Sequence, residues 1–200
     1  MSTVIKEVDT KFSPISLLKE IARKSIHVGA CGVALFLIGR QLVILEVLFL
    51  PVMALGFYIS EKIEFFGKNI SFGKERKWGG IILAVGLSLV MFAPVEYEVK
   101  KFAILVLMIA DVMAALVGKV VPIKKVEILE AYKSIGGSLA FCVGVFIALI
   151  LSFGAAVDFV WWQIAILICI LELFEFFNWR GIDNVTLPIA SLSLASLFFI

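Results

Sequence analysis

Long runs of uncharged apolar residues limit most strongly what this chain can fold into. Residues 79–95 and 135–153, for example, contain no Asp, Glu, Lys or Arg. About 20 such residues in a helix cross the hydrocarbon core of a bilayer. A helix at the surface of a soluble protein would instead carry polar residues along one face. The pattern therefore predicts an all-α fold, a polytopic bundle of transmembrane helices embedded in the lipid bilayer.

The composition excludes several other classes of protein. Apolar residues make up 62% of the chain and charged residues 17%, and the mean hydropathy is +1.10, whereas soluble domains are about 45–50% apolar and about 25% charged. The net charge of +2 is too small to favour a nucleic-acid partner. One histidine and three dispersed cysteines without a CxxC pair argue against a zinc or haem site.

Seven apolar segments are predicted as spans of a single integral-membrane domain covering residues 1–200. They are approximately 25–39, 41–60, 79–95, 101–119, 135–153, 159–177 and 185–200. Residues 1–15 are expected to be flexible or interfacial. Six spans remain an alternative if the final segment is re-entrant.

Lys and Arg are distributed very unequally between the two predicted sides of the membrane. Of the 18 Lys and Arg residues, all but Arg40, Lys100 and Lys101 fall in the N-terminal segment or in the even-numbered loops. Because cytoplasmic loops are rich in these residues, we expect a cytoplasmic N-terminus and an outer C-terminus.

The first polar motif precedes the first span and reads Glu20-Ile-Ala-Arg23-Lys24-Ser-Ile-His27. On a helix these polar residues fall three or four positions apart and share a face. A basic anchor at the membrane surface would explain Arg23 and Lys24. The added acid and histidine favour a functional site.

The second motif places an acid inside the fourth span, in Asp111-Val-Met-Ala114-Ala115-Leu-Val-Gly118-Lys119. A carboxylate at that depth is expensive and should face a cation or a hydrogen-bond donor. The small residues on its face allow close helix packing or the close approach of a ligand. Asp111 is the strongest single site residue in the chain.

The third and fourth motifs begin the fifth and seventh spans. Lys133-Ser134-Ile-Gly136-Gly137-Ser138 offers a cation and backbone N–H groups at a helix start, where phosphate binds well, although an ordinary helix cap has the same composition. Asp183-Asn184-Val-Thr186-Leu-Pro188, together with Glu172 and Glu175, offers oxygen ligands that suit Mg²⁺. A weaker basic segment, 74–80, precedes the third span.

These motifs, in this order and spacing over roughly residues 16–190, resemble the CTP-dependent lipid-alcohol kinases. That family comprises dolichol kinase, phytol kinase and the yeast-type diacylglycerol kinase. Two mild departures are Ala110, where the family often has Gly, and Gly136, where some members have Glu or Ala. The resemblance implies a cytoplasmic active site that transfers the γ-phosphoryl group of CTP to the hydroxyl of a membrane lipid alcohol.

The resemblance also implies a role for each motif. Asp111 is expected to be catalytic, as metal ligand or base, and His27 is a second candidate base. The residues expected to bind the nucleotide and its phosphates are Arg23, Lys24, Gly118, Lys119, Lys133, Ser134, Gly137 and Ser138. The residues expected to bind the Mg²⁺ cofactor are Asp111, Glu172, Asp183 and Asn184. The acceptor lipid and the oligomeric state stay open.

Two other functions compete with the kinase. A cytidylyltransferase making CDP-lipid would use the same nucleotide and membrane but release pyrophosphate. A small ion-coupled transporter would use Asp111 and Glu172 as a relay. Polar residues gathered on one side disfavour transport, because an alternating-access pathway is lined from both sides.

Overall fold

The described part of the chain is almost entirely helical. The computed structural model describes residues 6–7, 14–62, 79–121, 123, 125–128, 131–154, 160–177 and 182–199. Seven helices lie within these ranges, one for each predicted apolar segment. They are α1 (Pro14–Arg40), α2 (Val43–Lys62), α3 (Gly79–Phe92), α4 (Tyr97–Val120), α5 (Ile135–Phe153), α6 (Trp161–Phe176) and α7 (Asp183–Phe199).

Three of these helices are long and apolar enough to cross a membrane by themselves. They are α1 over Leu17–Arg40, α4 over Tyr97–Val120 and α5 over Ile135–Phe153. The apolar parts of α2, α3 and α7 are shorter. The chain is thus compatible with a membrane protein, whereas the number of seven spans and the orientation stay predictions.

The central element of the bundle is α4, which packs against α1, α3, α5 and α7. Its first half supplies much of the core, with fully buried side chains at Val99, Phe102, Ala103, Ile104, Val106, Leu107 and Ala110. Helix α6 packs on α5 and α7, and α2 packs on α1 and α3. Asp111 therefore lies on the helix with the most neighbours.

A small antiparallel sheet departs from the all-α prediction. Strands β2 (Lys125–Ile128) and β3 (Ala131–Ser134) form a hairpin between α4 and α5, and β1 (Lys6–Glu7) pairs with β2. The sequence predicts spans joined by loops, so these strands were not expected. Each strand is held by backbone hydrogen bonds to a neighbouring strand. Because β1 lies more than a hundred residues before β2, its pairing depends on the tertiary structure.

Contacts between helix termini gather the polar motifs at one end of the bundle, which we call the motif end. Here α3, α5 and α7 begin and α4 and α6 end, as the contact from Asn184 Nδ2 to the Gly79 carbonyl at 3.3 Å illustrates. At the opposite end, Lys100 and Lys101 donate to the carbonyls of Met91 and Leu151 at 2.8 and 2.6 Å. These two lysines cap the C-terminal turns of α3 and α5.

Candidate functional site

The centre of the motif end is Asp111, which is buried and ion-paired to Lys24 of α1. The Lys24 ammonium donates to Oδ2, and His27 Nε2 lies 3.7 Å from the same oxygen. The side chains of all three residues are 4–7% exposed. Since a buried carboxylate needs such a partner, this contact explains how Asp111 is accommodated in α4.

A π-helical segment, Val106–Ala110, lies immediately before Asp111. Each π turn contains an extra residue, so it rotates the following side chains relative to a regular α-helix and alters the backbone hydrogen bonds. The imidazole of His27 lies beside the backbone of Leu107, within this segment. The π segment thus sets the direction of Asp111 and holds the imidazole beside it, and no pattern in the sequence indicated it.

Two cations contact Glu20, in a more exposed position than the Lys24–Asp111 pair. Arg23 pairs with Glu20 Oε1 from the same helix, and Lys119 Nζ from the last turn of α4 lies 3.0 Å from Oε2. The carboxylate therefore joins α1 to the end of α4. Arg23 and Lys119 were predicted to bind the nucleotide, whereas Glu20 had no assigned role.

Lys133 joins the start of α5 to the end of α6. Its ammonium donates to the carbonyl and to Oε1 of Glu175, at 2.7 and 2.5 Å. Glu175 is buried and lies within electrostatic reach of both Asp111 and Asp183. This acid was grouped with Glu172 in the sequence but was not among the predicted site residues, although its place near the end of α6 was a usable signal.

The start of α5 is a helix cap that packs closely against α4. Ser134 Oγ accepts the Gly137 N–H at 3.1 Å and donates to the Gly118 carbonyl at 3.4 Å. A Cβ on Gly137 would lie 2.9 Å from the Ala114 carbonyl oxygen, and one on Gly118 would lie 3.0 Å from Ser134 Oγ. These small residues allow two helices to approach, and the Gly137 N–H is used by the cap.

Two of the carboxylates predicted to bind Mg²⁺, those of Glu172 and Asp183, lie near Glu175 and differ in their hydrogen bonding. Glu172 lies beside Ser138, and within the described ranges neither of its buried carboxylate oxygens has a hydrogen-bond partner. Asp183 Oδ1 accepts the Asn184 N–H at 3.0 Å. In the described part of the chain, no three His, Cys, Asp or Glu side chains form a group that could hold a metal by themselves.

The motif end therefore brings together residues from all four motifs. Lys24, predicted to bind the triphosphate, is instead buried against Asp111. Most of the basic segment 74–80 lies outside the described residues. The comparisons with protein-family models, with curated proteins and with solved structures find no match to this chain. The resemblance to lipid-alcohol kinases therefore stays an interpretation of the four sequence motifs.

Proposed function

We propose that this protein is a CTP-dependent kinase that phosphorylates the hydroxyl of a membrane lipid alcohol. The acceptor class is a polyprenol, a phytol-like alcohol or a diacylglycerol. The single observation that carries the proposal is the buried pairing of Asp111 with Lys24 and His27, beside the Lys133–Glu175 pair. A purely structural bundle does not need a carboxylate at this depth.

Phosphoryl transfer suits this set of residues because it depends on positioning and charge neutralisation more than on covalent chemistry. Arg23 and Lys119 lie at the more exposed rim of the cluster, with side chains 21% and 35% accessible. They are therefore better placed than buried Lys24 to meet a soluble nucleotide. Lys24 acts on Asp111 and fixes its position.

The charge of the cluster favours a divalent cation as cofactor. The cations are Arg23, Lys24, Lys119 and Lys133, and the acids are Glu20, Asp111, Glu172, Glu175 and Asp183. A triphosphate brought close to these carboxylates needs added positive charge beside it, because phosphate and carboxylate oxyanions repel each other. Mg²⁺ binds through one or two carboxylates and substrate phosphates. Glu172, whose oxygens have no hydrogen-bond partner within the described ranges, and Asp183 are suitable ligands.

A lipid acceptor accounts for the apolar surroundings of such a polar cluster. Helices α1, α4 and α5 are long enough to lie in a bilayer, and the motif end would face the cytoplasm, where CTP is available. The lipid tail would enter laterally between helices, bringing its hydroxyl to the level of Asp111. In this arrangement a soluble donor and an insoluble acceptor would meet at one site.

The test is a transfer assay with the purified protein in lipid vesicles. The protein is supplied with γ-labelled CTP, Mg²⁺ and, in separate reactions, a polyprenol, phytol and diacylglycerol. Label recovered in the lipid phase supports the kinase. Pyrophosphate release with cytidine retained in lipid would instead indicate a cytidylyltransferase, and no lipid product with any acceptor would contradict both.

A matched pair of variants ties the activity to the cluster. Asp111→Asn, combined with Lys24→Met so that no unpaired charge is buried, should abolish labelling of the lipid. Glu98→Gln, an exposed change in the first turn of α4, should retain the full rate. A fully active Asp111→Asn/Lys24→Met protein would remove the basis of the proposal.

A further inference from the structure

Glu20 holds its two cations in the way that a phosphoryl group would. Each of its carboxylate oxygens is engaged by a different cation, Arg23 on one and Lys119 on the other. The two cations come from different helices, α1 and α4. A carboxylate and a phosphate accept the same charge-assisted hydrogen bonds from Arg and Lys, so one oxyanion can replace the other here.

The bridge lies at the rim of the cluster. The side chains of Glu20, Arg23 and Lys119 are 13%, 21% and 35% exposed, while those of Lys24 and Asp111 below them are 4% and 7% exposed. One helical turn separates Glu20 from Lys24, about 6 Å along α1. An anion arriving from the aqueous side would meet Arg23 and Lys119 before it approached Asp111.

We propose that Arg23 and Lys119 form a polyphosphate-binding site for which Glu20 is an internal competitor. A phosphoryl oxyanion takes the two cations, and the Glu20 carboxylate turns out toward water. The inference deepens the proposed kinase and rests on it only for the identity of the nucleotide. The anion site itself can be tested without CTP and without lipid.

Competition of this kind selects for highly charged ligands. An anion must neutralise Arg23 and Lys119 better than Glu20 does, and a carboxylate on the same helix has the advantage of being tethered. Small monoanions do not exceed that advantage. A polyphosphate has several oxyanions and can contact further cations, so it displaces Glu20 more readily. Glu20 is in this way a specificity-determining residue.

The experiment measures the affinity of inorganic tripolyphosphate for the full chain in detergent or lipid, by isothermal titration at fixed Mg²⁺. Glu20→Gln keeps the size of the side chain and removes its charge, so its affinity should rise by on the order of tenfold. Lys119→Gln leaves the Arg23–Glu20 pair in place and should lower the affinity by a similar factor. Glu98→Gln changes the net charge by the same amount as Glu20→Gln and is the control. It should leave the affinity for tripolyphosphate unchanged.

Opposite signs for the two variants distinguish competition from a merely structural bridge. If the bridge served only to join α1 to α4, both variants would loosen the site and lower the affinity together. Unchanged or reduced affinity in Glu20→Gln overturns the proposal. If Glu20→Gln does not fold, an unchanged affinity in Lys119→Gln overturns it, because Lys119 would then not contact the polyphosphate. Tripolyphosphate binding with these signs, but without lipid labelling, would contradict the kinase alone.

Discussion

Burying an ion pair such as Lys24–Asp111 costs free energy, and removing one partner of the buried pair costs more. Each charge loses its hydration on burial, and only the partner and nearby dipoles compensate. Because the pair joins α1 to α4, its residues contribute both to the packing of the bundle and to the orientation of the Asp111 carboxylate. Stability and activity should therefore respond differently to single and paired substitutions.

We expect Asp111→Asn and Lys24→Met each to lower the free energy of unfolding by about 3–5 kcal/mol, because each leaves one buried charge without its partner. The double variant Asp111→Asn/Lys24→Met should lose much less than the sum of the two. The measurement is unfolding of the detergent-solubilised protein, followed by helical circular dichroism.

The double-variant cycle also separates folding from chemistry. The paired variant should regain stability while remaining unable to label lipid. Additive losses of stability would mean that Lys24 and Asp111 do not interact in the folded protein.

At the scale of secondary structure, the position of Asp111 depends on how closely α4 and α5 approach. A Cβ on Gly144 of α5 would lie 2.4 Å from the Cα of Ala110, the last residue of the π segment. Backbone atoms cannot move aside as a flexible side chain does, so any residue other than Gly at this position separates the helices. A Cβ on Gly29 of α1, by contrast, would have no atom of another helix within 4 Å.

Gly144→Ala should therefore destabilise the protein by about 1–3 kcal/mol through overpacking and lower the transfer rate by displacing Asp111. The matched substitution Gly29→Ala should be neutral or stabilising by up to about 1 kcal/mol, since Ala is the better helix former. Thermal unfolding and the lipid-labelling rate of both variants provide the comparison. Equal effects of the two substitutions would contradict the close approach of α4 and α5 at Ala110.

At the scale of the whole molecule, the direction of each helix follows from the contacts between helix termini. The contact of Asn184 with the Gly79 carbonyl and that of Ser134 with the Gly118 carbonyl place the motifs from distant parts of the chain at one end. If every helix crosses the bilayer, we expect the motif end to face the cytoplasm, because most Lys and Arg are predicted to lie on that side.

Seven crossings place the two termini on opposite sides of the membrane. An epitope attached before Met1 should be accessible to protease in inverted membrane vesicles, and one attached after Ile200 should be protected. Right-side-out vesicles should give the reverse pattern and control for leakage. Accessibility of both epitopes from the same side would favour six crossings and a re-entrant final segment.

Local physics was sufficient for the positions of the helices. Each apolar segment became a helix because helix hydrogen bonds join residues close in sequence and hydropathy is additive along the chain. The strands Lys125–Ile128 and Ala131–Ser134 were not predicted, although Lys-Val-Glu-Ile alternates as a strand does.

Only the tertiary structure decided which groups meet. The spacing of Arg23, Lys24 and His27 indicated a shared face of α1, but not that Lys24 would pair with Asp111 while Arg23 and Lys119 share Glu20. The cap in which Ser134 accepts the Gly137 N–H was one of two interpretations that the sequence left open. The sequence by itself determined the helices and the polar residues they carry, since both depend on near neighbours. The partners depend on long-range packing and on a π segment that rotates α4 by a fraction of a turn, and these are properties of the folded molecule as a whole.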